Sequence, residues 1–120
     1  MAPNDKSIDQ SQLLKGVLDM AVLAVLASGD GYGYDVVRRL RAAGLVDVAE
    51  ASVYGTLRRL FSDGALNSYV VPSDEGPHRK YYGLTESGRA HLAHLASTWS
   101  DFTATIDSLV TPNEKEHGND

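Results

Sequence analysis

Residues 50–88 constrain the fold more than any other stretch, because they run a short amphipathic helix straight into two extended segments joined by a turn. From Ala51 to Asp63, Val53, Leu57, Leu60 and Phe61 recur at helical spacing on one face, while Ser52, Gly55, Arg58, Arg59 and Ser62 fall on the other. Gly64 stops that helix, and Ala65 to Val71 has the β-branched and aromatic content of a strand, ended by Pro72. Ser73-Asp74-Glu75-Gly76-Pro77 is turn chemistry, and His78 to Leu84 resumes an extended run. The two runs predict a hairpin whose tip is flanked by Arg79 and Lys80. Helix, then hairpin, is the winged half of a winged helix-turn-helix.

The upstream segment supplies the other half. Leu13 to Ala27 carries apolar residues on nearly every side, and a helix apolar all round must be covered all round. Ser28-Gly29-Asp30-Gly31 terminates it. Tyr34 to Ala43 predicts a second helix with Val36, Val37 and Leu40 inward, Gly44 just past its end, and Leu45 to Ala49 as a slightly long turn. Downstream of the hairpin, Thr85 is a suitable N-cap and Glu86 complements the dipole of a last helix. Along that helix Leu92, Leu95, Trp99, Phe102, Ile106 and Leu109 are spaced three and four apart, as in the seam of a coiled coil. At about three heptads the seam is too short to associate alone. It points either to a dimer interface shared with the first helix, through Leu13, Val17, Leu92, Leu95, Trp99, Ile106 and Leu109, or to a helix folded back on its own core.

Length and composition bound the class. A chain of 120 residues is one domain, small enough that a partner subunit would help it. The parts are a polar tail at 1–9, a winged helix-turn-helix over 10–84, a dimerisation helix over 85–111 and a second polar tail at 112–120, both tails reading as disordered. The fold class is mainly α with a β-hairpin. There are no cysteines and the four histidines are scattered, so no metal site and no cofactor is expected, and the compartment reads as cytoplasmic. The run Val17 to Ala27 is too short to span a bilayer and is interrupted by Asp19, so no membrane partner is expected. Ser52, His78, His91, His94 and Asp101 form no catalytic motif, and no glycine-rich phosphate loop follows a strand, so the chain does not read as an enzyme.

A net charge of −5 opposes nucleic-acid binding only on average. Residues 32–90 hold eight Lys/Arg against seven Asp/Glu, and the acidity lies in the two ends. The central cations pair up at Arg38-Arg39, Arg58-Arg59 and Arg79-Lys80, where a duplex would lie, although such a pair taken alone is more often an ordinary solvated charge. A helix entering a major groove needs small or hydrogen-bonding residues where its backbone comes close. Ser52 and Gly55 supply these, with Arg58 and Arg59 able to reach guanine edges or phosphates. Tyr54 stands at the edge of the apolar face, either half core and half phosphate contact or a plain core tyrosine. His78, Arg79 and Lys80 are candidates for backbone or minor-groove contact, one at least of Tyr81 and Tyr82 should pack inward, and Lys15 is a further phosphate candidate.

These segments resemble a known family. Lys15-Gly16-Val17-Leu18-Asp19, Gly33-Tyr34-Asp35, Ser52-Val53-Tyr54, Asp63-Gly64-Ala65-Leu66, Gly76-Pro77-His78-Arg79-Lys80-Tyr81-Tyr82 and Leu84-Thr85-Glu86-Ser87-Gly88 are similar to the PadR family of bacterial transcriptional regulators, in the same order across residues 13–110. The single C-terminal helix resembles the short subfamily. Phe61 departs from the acidic residue usual in the family, and Gly55 stands where a bulkier residue is common. The resemblance implies a homodimer that binds double-stranded DNA at an inverted-repeat operator. For multidrug-sensing members it implies a flat aromatic effector held between paired tryptophans at the dimer centre, a position that Trp99 matches. Phe102 would add a wall, Leu95 would line the same region, and Asp101 would favour a cationic ligand. The expected function is therefore a transcriptional regulator, a repressor released by a small aromatic molecule. The competing reading is a winged-helix module that binds protein, an adaptor or antirepressor that never touches DNA.

Overall fold

The computed structural model describes residue 10 and residues 12–111; the expected tails at 1–9 and 112–120 lie outside the described residues. Four longer helices and three strands follow one another as α1 (Leu18–Ala27), β1 (Gly31–Tyr32), α2 (Gly33–Ala42), α3 (Glu50–Ser62), β2 (Leu66–Val71), β3 (Arg79–Leu84) and α4 (Glu86–Val110). The strands form one antiparallel sheet in the order β1-β3-β2. Mainly helical with a small sheet and a long last helix, this is the winged-helix architecture expected from the sequence.

The helix expected from Leu13 is broken. Gly16 N–H donates to Leu13 O at 3.2 Å and Val17 N–H to Leu14 O at 3.0 Å, so Lys15–Val17 is a turn and α1 begins at Leu18. A glycine in mid-helix loses more backbone freedom than any other residue, which makes position 16 the weak point of that run. Nor is α1 covered all round. Leu18, Val22, Leu23 and Leu26 are buried, but Ala24 and Ala27 are exposed, and the small side chains there leave little apolar area in water.

Around α1 pack Val36, Val37 and Leu40 of α2, Val53, Leu57 and Leu60 of α3, and Leu66, Tyr82 and Leu84 of the sheet. Full burial of each such aliphatic side chain stabilises by about 1.5–3 kcal/mol, and together they form one core. Phe61 is not among them. Expected inward, it is 44% exposed, because the inward row of α3 is completed by Thr56 at the i, i+3, i+4, i+7 positions and Phe61 falls beyond its flank.

The strand β1 was not anticipated, since two residues carry no periodicity to detect. It pairs Gly31 with Tyr82 and Tyr32 with Tyr81, so the hairpin is docked onto the helix-turn-helix by backbone bonds. In the hairpin Leu66 faces Leu84 and Val71 faces Arg79. The alternation of β3 turns Tyr82 inward, only 8% exposed, and leaves Tyr81 partly exposed.

Thr85 caps α4 as expected, its Oγ1 accepting from Gly88 N–H at 3.0 Å and donating to Gly64 O at 2.7 Å. Any Cβ on Gly88 would collide with the carbonyl oxygen of Ala65, so the first turn of α4 can lie against the end of α3 only with glycine there. Leu92 and Leu95 then pack against the core, while from Ala96 to Val110 every residue but Thr103 is exposed. At about 1.5 Å per residue that is roughly 22 Å of helix standing clear of the body.

Candidate nucleic-acid interface

The N-terminus of α2, the middle of α3 and the strand β3 enclose an open cleft of about 350 Å³. Leu57 and Tyr82 are its apolar floor, and Tyr32, Tyr34, Tyr54, Arg58, Arg79 and Lys80 line the rest. Tyr54 is half-buried there. Its ring lies so close to Gly33 that a Cβ at residue 33 would come within 2.6 Å of it, which locks the start of α2 to α3. Burial of the ring, with Glu50 adding to it, raises the Tyr54 phenol above its ordinary range.

Three cations reach this cleft from two elements. Arg58 projects from α3, exposed and in no ion pair among the described residues. Arg79 lies over the Tyr32 ring, 4.4 Å from its centroid, and the Lys80 ammonium lies 5.4 Å and 5.6 Å from the centroids of Phe61 and Tyr82. Contact with an aromatic face holds a cation in place without neutralising it, so the charges stay available to an anion. The exposed Ser52 and the half-exposed Gly55 share α3 with Arg58, and a Cβ at Gly55 would meet nothing within 4 Å, so the helix is open to a close approach there.

Other expected contacts lie elsewhere. Arg59 does not join Arg58: its two terminal nitrogens donate to Asp19 Oδ2 and Oδ1 of α1 at 2.9 and 2.7 Å. One step along a helix turns the side chain by about 100°, enough to send adjacent arginines to different faces. Arg39 is likewise committed, donating to Val25 O at 2.6 Å, Ser28 Oγ at 2.8 Å and Gly29 O at 3.0 Å, and so satisfying carbonyls at the end of α1. Asp35 bridges Arg38 at 2.8 Å and Arg39 at 3.3 Å. Lys15 is exposed in the turn before α1, and His78 is exposed just before β3; neither lines the cleft.

Tyr32 and Tyr34 were missed by the reading of the sequence. The alternation Gly31-Tyr32-Gly33-Tyr34 is the signal, but the sequence reading divides it, giving Gly31 to the loop that ends the first helix and Tyr34 to the start of the second. Tyr32 begins an aromatic row across the sheet: its ring is 5.5 Å from that of Tyr81, which stacks 5.8 Å from Tyr69. The Tyr69 hydroxyl donates to Asp30 Oδ2 at 2.6 Å, a bond that raises its pKa.

The residues expected at a dimer or effector site divide. Val17, Leu92 and Leu95 are half-buried against this chain's own core, as a helix folded back on it requires, and each keeps part of its surface exposed. Leu13 at 76%, Trp99 at 42%, Phe102 at 56%, Ile106 at 37% and Leu109 at 74% are exposed. The rings of Trp99 and Phe102 lie 6.3 Å apart with Asp101 exposed beside them.

Solved structures of similar chains share this fold. A PadR-like transcriptional regulator of Bacillus cereus is 30% identical, over 85% of this chain and 99% of its own, with a TM-score of 0.75. A PadR family transcriptional regulator of Eggerthella lenta is 30% identical, over 93% of this chain and all of its own, at 0.78. PadR of Bacillus subtilis, solved in complex with operator DNA, has the same fold at 24% identity and a TM-score of 0.61, over 67% of this chain and 46% of its own. With residues 22–94 matching the Transcriptional regulator PadR-like family, the chain belongs to that family, whose members regulate transcription and are not enzymes.

Proposed function

We propose that the chain binds double-stranded DNA as a homodimer, with the Ser52 and Arg58 face of α3 in the major groove and the Arg79–Lys80 wing on the adjoining backbone or minor groove. The observation that carries this reading is the convergence of Arg58, Arg79 and Lys80 on one cleft with no carboxylate paired to them among the described residues, while Arg38, Arg39 and Arg59 are matched to Asp35 and Asp19. The likeness to a Bacillus subtilis protein solved with operator DNA supports the same choice of partner. The apolar residues left in water on the outer half of α4, with Leu13, favour a second copy of this chain as their cover. A two-fold axis through such a dimer requires an inverted-repeat operator with half-sites about one or two helical turns, ~34–70 Å, apart. The test is selection of bound duplexes from a random library followed by footprinting. An inverted repeat protected on one face supports the reading, and an unrepeated half-site bound by a monomer defeats it.

Within the dimer, the exposed Trp99 and Phe102 rings support a role as walls for a planar aromatic effector, with Asp101 favouring a cationic one. The regulator is then a repressor that the effector releases, and release requires the ligand to prefer the conformation that no longer fits the operator. Trp99→Ala should leave dimer and operator binding intact and abolish release. A variant still fully released by a compound that acts on the native protein places the effector elsewhere.

A further inference from the structure

Of two adjacent arginines on α3, one is aimed at the cleft and the other is spent on a different helix. Arg59 reaches Asp19, 40 residues away in sequence, through two nearly parallel hydrogen bonds of 2.9 and 2.7 Å. The side chains remain 52% and 34% exposed, so solvent screens the pair and it adds little to folding stability. What a bidentate guanidinium–carboxylate pair supplies is geometry, because two bonds between planar groups fix angle as well as distance. Here the angle fixed is the rotation of α3 about its own axis relative to α1.

The surroundings extend the link. Asp19 and Arg59 share a depression of about 310 Å³ with Leu60, Asp63 and Ala65 at the end of α3 and with Ser87 and His91 on the first turns of α4. Three helices therefore meet at this pair, and α4 is the helix whose outer half stands exposed.

The geometry points to Asp19 and Arg59 as a positioning pair that sets the rotation of α3 so that Ser52 and Arg58 meet the DNA groove. This rests on the reading that α3 contacts DNA. Arg59 then acts through Asp19 and touches neither base nor phosphate, although its neighbour Arg58 meets the groove.

The discriminating variant is Asp19→Ala, measured by titration against the duplex selected by the native protein at several salt concentrations. Loss of a negative charge by itself favours DNA binding. The positioning role demands the opposite, a near-native melting curve with affinity reduced roughly twofold to fivefold and an unchanged salt slope. Arg59→Lys keeps the charge but loses the fork, and should weaken binding in the same way. Affinity equal to or tighter than native for Asp19→Ala, native affinity for Arg59→Lys, or a salt slope lowered by about one unit in Arg59→Met would overturn the proposal, the last by showing a phosphate contact. If Asp19→Ala does not fold, Asp19→Asn and Arg59→Lys carry the comparison. A native protein that selects no duplex defeats the DNA-binding reading and this inference with it, whereas native binding with unaffected variants defeats this inference alone.

Discussion

Helices α3 and α4 both carry an apolar stripe at three-and-four spacing, yet one stripe is sealed and the other stands in water. Val53, Leu57 and Leu60 of α3 are no more than 1% exposed, whereas Phe102, Ile106 and Leu109 of α4 range from 37% to 74%. The difference is one of neighbours, not of pattern. The stripe of α3 is met by α1, α2 and β2 of the same chain, while α4 outruns the body after Leu95 and, among the described residues, nothing covers its second half. A stripe states that a face should be dry, and only the tertiary arrangement states what dries it.

The sharpest way to break this contrast is to truncate one residue on each stripe. Leu57→Ala should cost about 2–5 kcal/mol of stability, because it opens a cavity in the core. Ile106→Asp should leave the melting of the winged helix close to native in the isolated subunit while weakening self-association roughly thirtyfold or more, the scale of a lost interface hot spot. Calorimetry and sedimentation check the two halves. A dimer untouched by Ile106→Asp would mean that the exposed stripe of α4 is not the interface.

The next contrast lies within the cleft. Arg58→Ala should cost about 1–3 kcal/mol of operator affinity and relax sequence preference, whereas Arg79→Ala or Lys80→Ala should weaken all sequences alike and lower the salt slope by about one unit. Titrations against the selected duplex and a scrambled one would separate reading from anchoring, and a reversed outcome would exchange the roles of helix and wing.

Smaller effects mark the joints between the regions. Thr85→Ala removes the cap of α4 and the bond to Gly64 O, for a loss of about 1 kcal/mol in chemical denaturation. Acidification should show the least. The hydrogen bond from Arg59 holds the Asp19 carboxyl below its ordinary 3.8, so the pair's contribution is complete above that value and is lost as pH falls through the lower, folded one. For a screened pair the change is about 1 kcal/mol or less, and Asp19→Asn should flatten that part of the stability profile.

Much of the architecture was legible in the residues because it rests on local rules. The inward rows of α2 and α3, the hairpin around Ser73–Pro77, the Thr85 cap and the inward turn of one of the two tyrosines follow from periodicity, turn chemistry and alternation. What escaped was non-local or too short to have a period. The strand β1 exists only because β3 lies beside it, and the aromatic row Tyr32–Tyr81–Tyr69 joins residues from three separate segments. The break at Lys15–Val17 went unread because the apolar pattern runs through it while the backbone does not.

By itself the sequence determined most of the apolar faces, the ends of every helix and strand but the start of α1 and the whole of β1 to within a residue or two, and, through its motifs, the family. Only the tertiary structure decided how the charges are used. Arg58 and Arg59 are alike in chemistry and adjacent in the chain, and nothing local distinguishes a cation left for an anion from one already paired. The distinction came from Asp19, far away in sequence but brought alongside by the crossing of α1 and α3. A charge is satisfied by whatever the fold sets beside it in space, and that neighbour is a property of packing.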